Sequence, residues 1–380
     1  MKHCSLFFLL LCSVFSFAQK NLNLSAMIKP VDSSNIMISD TYYNWCPSVV
    51  EGEDGRYYMF YSRWPHGVRN PDDDSLNYIF NGFAGWLKYS EIACAVSDNL
   101  EGPYQFVKTI LKGTGEAGRW DRFTMHNPQI KKFEGNYYLY YISNNYDSSF
   151  NLKQPASKEA LQWMRYNATQ SIGVITAGSI KDILAGNYRK PEAPIMQVDG
   201  KQTFEIVNNP SVDRGPDGRY YMMYKSRKPG GHMTFWMAVA NKPDTVFTTF
   251  SNVTDNPEMA CEDPSMWYDQ KQKKFYAVAK YFSSSLKHAP EFGALILIES
   301  KDGIDWLLAK NKLVSLKRLK FKNGKEVKLD RLERPFVYTD KNGKPLALFA
   351  AVAIKPPNTG DPLKVTNETN SFNVCLPLRK

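Results

Sequence analysis

Five stretches of the chain repeat one pattern: CPSVVEGEDGRYYMFYSRW from Cys46, NPQIKKFEGNYYLYYIS from Asn127, NPSVDRGPDGRYYMMYKSR from Asn209, DPSMWYDQKQKKFYAVAKY from Asp263 and RPFVYTDKNGKPLALFAAV from Arg334. Each proline opens a short strand-like run, a Gly or polar turn follows, and a second run rich in Tyr, Phe, Val and Ala closes the pair. A further strand-like segment trails each pair, in EIACAVSD, SIGVITAGSI, TFWMAVANK, ALILIESKDG and SFNVCLPL. Antiparallel units of three or four strands, recurring every roughly 55 to 80 residues, predict radial repetition: an all-β, five-bladed β-propeller with an axial pocket, not a two-layer sandwich. The prolines are expected at the first position of a strand, where a missing N–H costs least. SFNVCLPLRK or the segment before Tyr42 is the candidate for closing the ring, and ASKEALQWMRY is the best helical segment, a short helix in a loop.

With 380 residues, 43% of them hydrophobic, the chain can bury a substantial core, and no long linker interrupts the repeats. It is read as one domain over 19–380. Residues 1–18 have the features of a secretory leader: Lys2, an apolar run of about a dozen residues, and Ser16-Phe17-Ala18 as a small-x-small cleavage site. The expected destination is the periplasm or the exterior. That run is shorter than the roughly 20 residues a bilayer needs, so no membrane span is expected. Cys46, Cys94, Cys261 and Cys375 remain after the leader; they lack zinc spacing and lie in apolar strand contexts that suit buried free thiols. The formal charge of +10 is spread along the chain. It gives no focused nucleic-acid patch, and it suits an acidic polysaccharide.

In a propeller the innermost strand of every blade lies against the axis, so residues just ahead of the prolines converge. Immediately before Pro stand Cys46, Asn127, Asn209, Asp263 and Arg334; one step earlier stand Trp45, His126, Asn208, Glu262 and Glu333. Burying so many polar groups is costly unless they pair or face a wet pocket, which points to function at Glu262, Asp263 and Glu333 above all. Strict strand alternation would send the two sets to opposite faces, and both reach the pocket only where pairing is irregular. The long connections between second and third strands are expected at the same mouth. On and beside them Arg63, Trp64, His66, Trp86, Lys225, Arg227, His232, Lys280 and His288 offer sugar-stacking rings and cations for negative groups.

On these five strands, and on HNPQIKKFEGNYYLYY, CEDPSMWYD, SKDGIDWLLAKNKLV and LDRLERPFVYTDKNGKP, the chain resembles the five-bladed propeller glycoside hydrolases of family 43 and its relatives, including the neoagarooligosaccharide hydrolases of family 117. The resemblance implies hydrolysis of glycosidic bonds by acidic residues around the axial pocket, commonly from a chain end, with an oligosaccharide or polysaccharide as partner. It also implies an Asp base in the first blade, where this chain has Cys46. Glu91 and Asp121 are the acids that could compensate, and relatives that use a mouth histidine as proton donor bring in His126 and His232. The chemistry needs one protonated and one ionised group flanking a glycosidic oxygen. Glu262 or Glu333 is expected as the acid, and Asp263, Asp121 or Glu91 as base or orienter, with Arg334 holding Glu333 ionised. No cofactor is required by this reading; an axial calcium ion is the one the resemblance leaves open. A carbohydrate-binding propeller without catalysis is the alternative, favoured by Cys46 and disfavoured by the number of carboxylates.

Overall fold

The computed structural model describes residues 21–66, 80, 82–151, 157–253, 256–354 and 370–379. The leader lies outside them, as do residues 67–79 of the first long connection and 152–156 of the second.

Five antiparallel meanders stand around one axis. The first blade runs Tyr42–Glu51, Tyr57–Pro65, Glu91–Ser97 and Gln105–Leu111, and the second Met125–Phe133, Asn136–Ser143 and Ser171–Ala177. The third runs Phe204–Arg214, Tyr220–Arg227, Thr234–Ala240 and Thr248–Asn252; the fourth Cys261–Asp269, Lys274–Tyr281, Leu295–Ser300 and Leu307–Ser315. The fifth combines Arg331–Thr339, Pro345–Ile354 and Asn370–Pro377 with Ile36–Ile38, so both segments named from sequence take part in closing the ring. Lys158–Asn167 forms a helix in the second long connection, N-capped by Ser157.

The apolar face of each blade packs on the next, giving a core at every junction. Phe60 and Cys94 meet Ile130 and Leu139 between the first two blades, Trp267 and Val278 meet Leu332 and Leu348 between the last two, and Val49 and Met59 meet Phe336 and Phe349 where the ring closes. Cys46, Cys94, Cys261 and Cys375 are free and buried. Among the described residues no helix is long and apolar enough to cross a membrane.

The prolines correct one expectation. They do not start the innermost strands but sit inside them, as Pro47 within Tyr42–Glu51 and Pro264 within Cys261–Asp269. The innermost strand is an edge of its sheet, so a missing N–H toward the axis breaks no ladder. In all five blades the residue before the proline has a left-handed backbone: φ is 54° at Cys46, 51° at Asn127, 55° at Asn209, 63° at Asp263 and 52° at Arg334. Cross-strand pairing skips one residue there every time, for example between Glu262↔Lys280 and Ser265↔Val278, which is a β-bulge. The bulge breaks the two-residue alternation and turns two consecutive side chains inward.

The residue after the proline joins the blades. Ser48 Oγ accepts from Ile130 N at 2.8 Å, Gln129 Oε1 from Val212 N at 2.6 Å, Ser211 Oγ from Met266 N at 2.7 Å and Ser265 Oγ from Val337 N at 2.9 Å. At the closing junction the equivalent residue is Phe336, which packs instead. Ser211 also accepts from Gln129 Nε2 at 3.0 Å. Ser211→Ala therefore strands a buried backbone N–H and a buried amide, and it should lower stability by about 1–3 kcal/mol, read as a lower urea midpoint at unchanged m-value.

Candidate active site

Trp45, His126, Asn208, Glu262 and Glu333, the residues two before each proline, all line one cavity of about 640 Å³ at the end of the axis where the long connections lie. The residues immediately before each proline form a ring beneath it, around a constriction of only about 40 Å³. A wider opening of about 990 Å³ lies at the opposite end, lined by the first-to-second-strand turns, and none of these ten side chains faces it.

The ring is a directional hydrogen-bond chain. The Cys46 thiol donates to Asn127 Oδ1 (3.0 Å), Asn127 Nδ2 to Asn209 Oδ1 (2.5 Å), and Asn209 Nδ2 to Asp263 Oδ1 (2.8 Å). Arg334 completes it with its backbone N on Asp263 Oδ2 at 3.2 Å and its guanidinium in ion-pair contact with Oδ1 at 2.7 Å. Arg334 thus serves Asp263 and not Glu333, contrary to the sequence reading. Burial pushes Asp263 up to about 6, against the pull of Arg334 and with Glu262 and Glu333 adding to the rise. Burial also pushes the Cys46 thiol up to about 12, so it carries no thiolate at neutral pH. Among the described residues no group of three or more His, Cys, Asp and Glu is placed to hold a metal.

Above the ring, Glu262 and Glu333 project from the innermost strands of neighbouring blades, and Lys280 stands between them. Its Nζ lies 2.5 Å from Glu262 Oε1 and 2.6 Å from Glu333 Oε1, which places those oxygens within about 5 Å of each other. Lys225 Nζ holds the other Glu262 oxygen at 2.6 Å, and Arg331 approaches Glu333 at 3.7 Å. Burial alone would raise both carboxyls. Lys225 and Lys280 instead hold Glu262 well below the usual carboxylate range, and Lys280 with Arg331 lowers Glu333. Lys225 and Lys280 lie on second strands, in register with Asn208 and Glu262, and not in the loops assigned to them from sequence.

The walls are aromatic. Trp45, Trp64, Phe83, Trp86 and Trp163 line one side, Phe282 and Phe292 the other. His126 stacks on Trp86 with centroids 4.7 Å apart; its Nδ1 is 2.9 Å from Ser90 Oγ, and burial lowers it far below its ordinary value, leaving a neutral imidazole. Asn208 is oriented by a relay: Gln170 Nε2 donates to Asn167 Oδ1 at 2.7 Å, so Gln170 Oε1 accepts from Asn208 Nδ2 at 3.0 Å. Asn208 Oδ1 is left buried without a protein donor in a residue that lines the cavity.

Several sequence candidates lie elsewhere. Glu91 is bound by Arg63 (2.7 Å), Thr109 (2.7 Å) and Lys112 (3.1 Å), with Arg63 itself between the rings of Tyr42 and Phe106; neither lines the cavity. Asp121 is fully buried against Arg119 (3.0 Å) and Lys190 (2.6 Å). These acids satisfy structural ion pairs, and burial under such partners closes them to a ligand. Arg227 does not line the cavity but pairs with Glu205, a carboxylate that does and that the sequence reading missed, and His232 does not reach it. Conversely, Phe282 and Phe292 escaped the sequence reading, although they flank the long connection of the fourth blade. So did Trp163, on the helix of the second connection, Lys317, between the fourth and fifth blades, and Arg331, the first residue of the fifth blade's innermost strand.

Fold and site together define a five-bladed propeller with a polar, aromatic-walled axial pocket. The chain shares this fold with solved glycoside hydrolases of families 117 and 43. Zg3597, a family 117 glycoside hydrolase from the marine bacterium Zobellia galactanivorans, superposes with a TM-score of 0.59 at 15% identity, covering 92% of this chain and 90% of that one. The endo-arabinase from Bacteroides thetaiotaomicron VPI-5482 gives 0.51 at 12% identity, covering 92% and 98%. In sequence, the chain is 24% identical over 217 residues to the extracellular endo-α-(1→5)-L-arabinanase 2 of Bacillus subtilis (strain 168), a match spanning 54% of this chain and 36% of that protein. No family model matches.

Asp263 gives a pH test of the ring. Its carboxyl is raised in the folded chain, so its contribution to stability is full below the unfolded value near 4 and is lost as pH rises through about 6. Wild type should therefore lose stability relative to Asp263→Asn across that window, on the order of 2–3 kcal/mol, followed by denaturant melts at stepped pH.

Proposed function

We propose that the protein is a glycoside hydrolase acting on the ends of oligosaccharides. The observation that carries this reading is the Glu262/Glu333 pair, held within about 5 Å at the floor of an aromatic-walled pocket. Two carboxyls this close can act on one anomeric centre. Glu262, fixed by two lysines, is suited to remain the anion; Glu333, with one close lysine, is the better proton carrier. Asn208 Oδ1 is an acceptor for a sugar hydroxyl, and the tryptophans offer faces for stacking. The narrow constriction beneath the cavity favours a chain end over a threaded chain. Lys317 and Arg331, in the same lining as the acids Glu205 and Asp330, offer cations to a substrate bearing carboxylate or sulfate. The leader-like first 18 residues and the extracellular relative support export, and a plant or algal polysaccharide is the proposed source.

One observation favours a second reading, carbohydrate binding without cleavage: Lys280 ties up an oxygen of each carboxylate at once, and Cys46 stands where the resembling family has its base. A panel of arabinan, agar, pectin and sulfated oligosaccharides, with products separated by chromatography, decides between them. The hydrolase reading expects a new reducing end from at least one substrate, and a loss of turnover of about 100-fold or more in Glu262→Gln and in Glu333→Gln. Saturable binding with no product across the panel favours the second.

A further inference from the structure

Lys280 was expected to meet substrate. The geometry gives it another task. Its side chain is 8% exposed, two of its three N–H directions end on Glu262 and Glu333, and the rings of Phe282 and Phe292 cover the ammonium at 5.3 and 5.8 Å. Among the described residues no other cation touches both carboxylates closely: Lys225, from the third blade, reaches only Glu262, and Arg331 stands 3.7 Å from Glu333. The Arg334 guanidinium, below, is committed to Asp263. Two buried carboxylates within about 5 Å cannot both stay ionised without a cation between them.

We propose that Lys280 is the positioning residue that keeps the carboxylate pair ionised and so sets how the acid and base roles are divided. It acts through Glu262 and Glu333. When it is removed, Glu262 keeps Lys225, and Asp263, which Lys280 also helps to hold down, keeps Arg334, so Glu333 is the member left without a close cation and takes up a proton from solvent. The reactive range of the site follows: a hydrolase needs one protonated and one ionised carboxyl, so in the native protein that state is reached toward acidic pH, and without Lys280 it is reached at higher pH. This consequence rests on the hydrolase reading, whereas the ionic linkage does not.

The experiment compares full-length protein with Lys280, Lys280→Met and Lys280→Arg, each also carrying Asp263→Asn so that the titration of Asp263 does not enter, by thermal melting between about pH 5 and pH 8. In Lys280→Met the raised carboxyl contributes stability at low pH that is lost as pH rises, so its melting temperature should fall further below that of the Lys280 protein by roughly 2 °C or more across this range, while Lys280→Arg stays parallel to the Lys280 protein. Parallel curves for Lys280→Met, the result expected from lost packing alone, overturn the proposal. If Lys280→Met does not fold at pH 8, adding Glu333→Gln to it decides: recovery of folding supports the linkage, and no recovery overturns it. On any substrate the panel identifies, Lys280→Met should move the pH optimum upward by about one unit, and an unmoved optimum sinks the catalytic consequence. If wild type cleaves nothing, the hydrolase reading fails while the melting curves still judge Lys280.

Discussion

The structure depends on a backbone constraint met five times: a non-glycine residue at positive φ, directly before a proline, on the innermost strand of each blade. Such a conformation costs on the order of 1–3 kcal/mol per residue. The axial ring supplies what holds it. Cys46, Asn127, Asn209, Asp263 and Arg334 engage one another around the axis, and the Ser or Gln two residues on binds the next blade's backbone. Local strain and inter-blade bonding are therefore two sides of one arrangement, and the bulge it creates points a second tier of side chains into the cavity above.

That second tier carries the charge. Glu262 and Glu333 come from different sheets, and each is buried at a depth where an isolated carboxyl would be neutral. Lys280, in register with Glu262 across the fourth blade, makes ionisation of both possible. Cations and acids balance locally, and the formal +10 of the whole chain has no part in it. Below them, Asp263 belongs to the ring chemically even though it is adjacent to Glu262 in sequence, because the bulge sends the two carboxyls to different levels of the axis.

The repeat was legible because blades are built locally: a proline, a turn and an aromatic strand recur wherever an edge strand must face an axis. The convergence of Trp45, His126, Asn208, Glu262 and Glu333 followed from the same repeat. The misplacements of Glu91, Asp121 and Arg63 share another cause. Each is polar and near a strand end, and nothing local distinguishes a carboxylate that meets a cavity from one that meets Arg119 and Lys190 inside a blade. The pairing of Arg334 with Asp263 in place of Glu333 has the same origin, since adjacency in sequence becomes opposition across a bulge.

The amino-acid sequence by itself determined the number of blades and the identity of the ten residues at the axis, because these follow from periodicity and local context. Only the tertiary structure decided which carboxylates share a cation, which acids are spent on structural ion pairs, and which of two consecutive residues reaches the cavity. Those outcomes depend on distances between different sheets and on a φ angle that cross-blade bonds enforce, and neither quantity is encoded in any one stretch of chain.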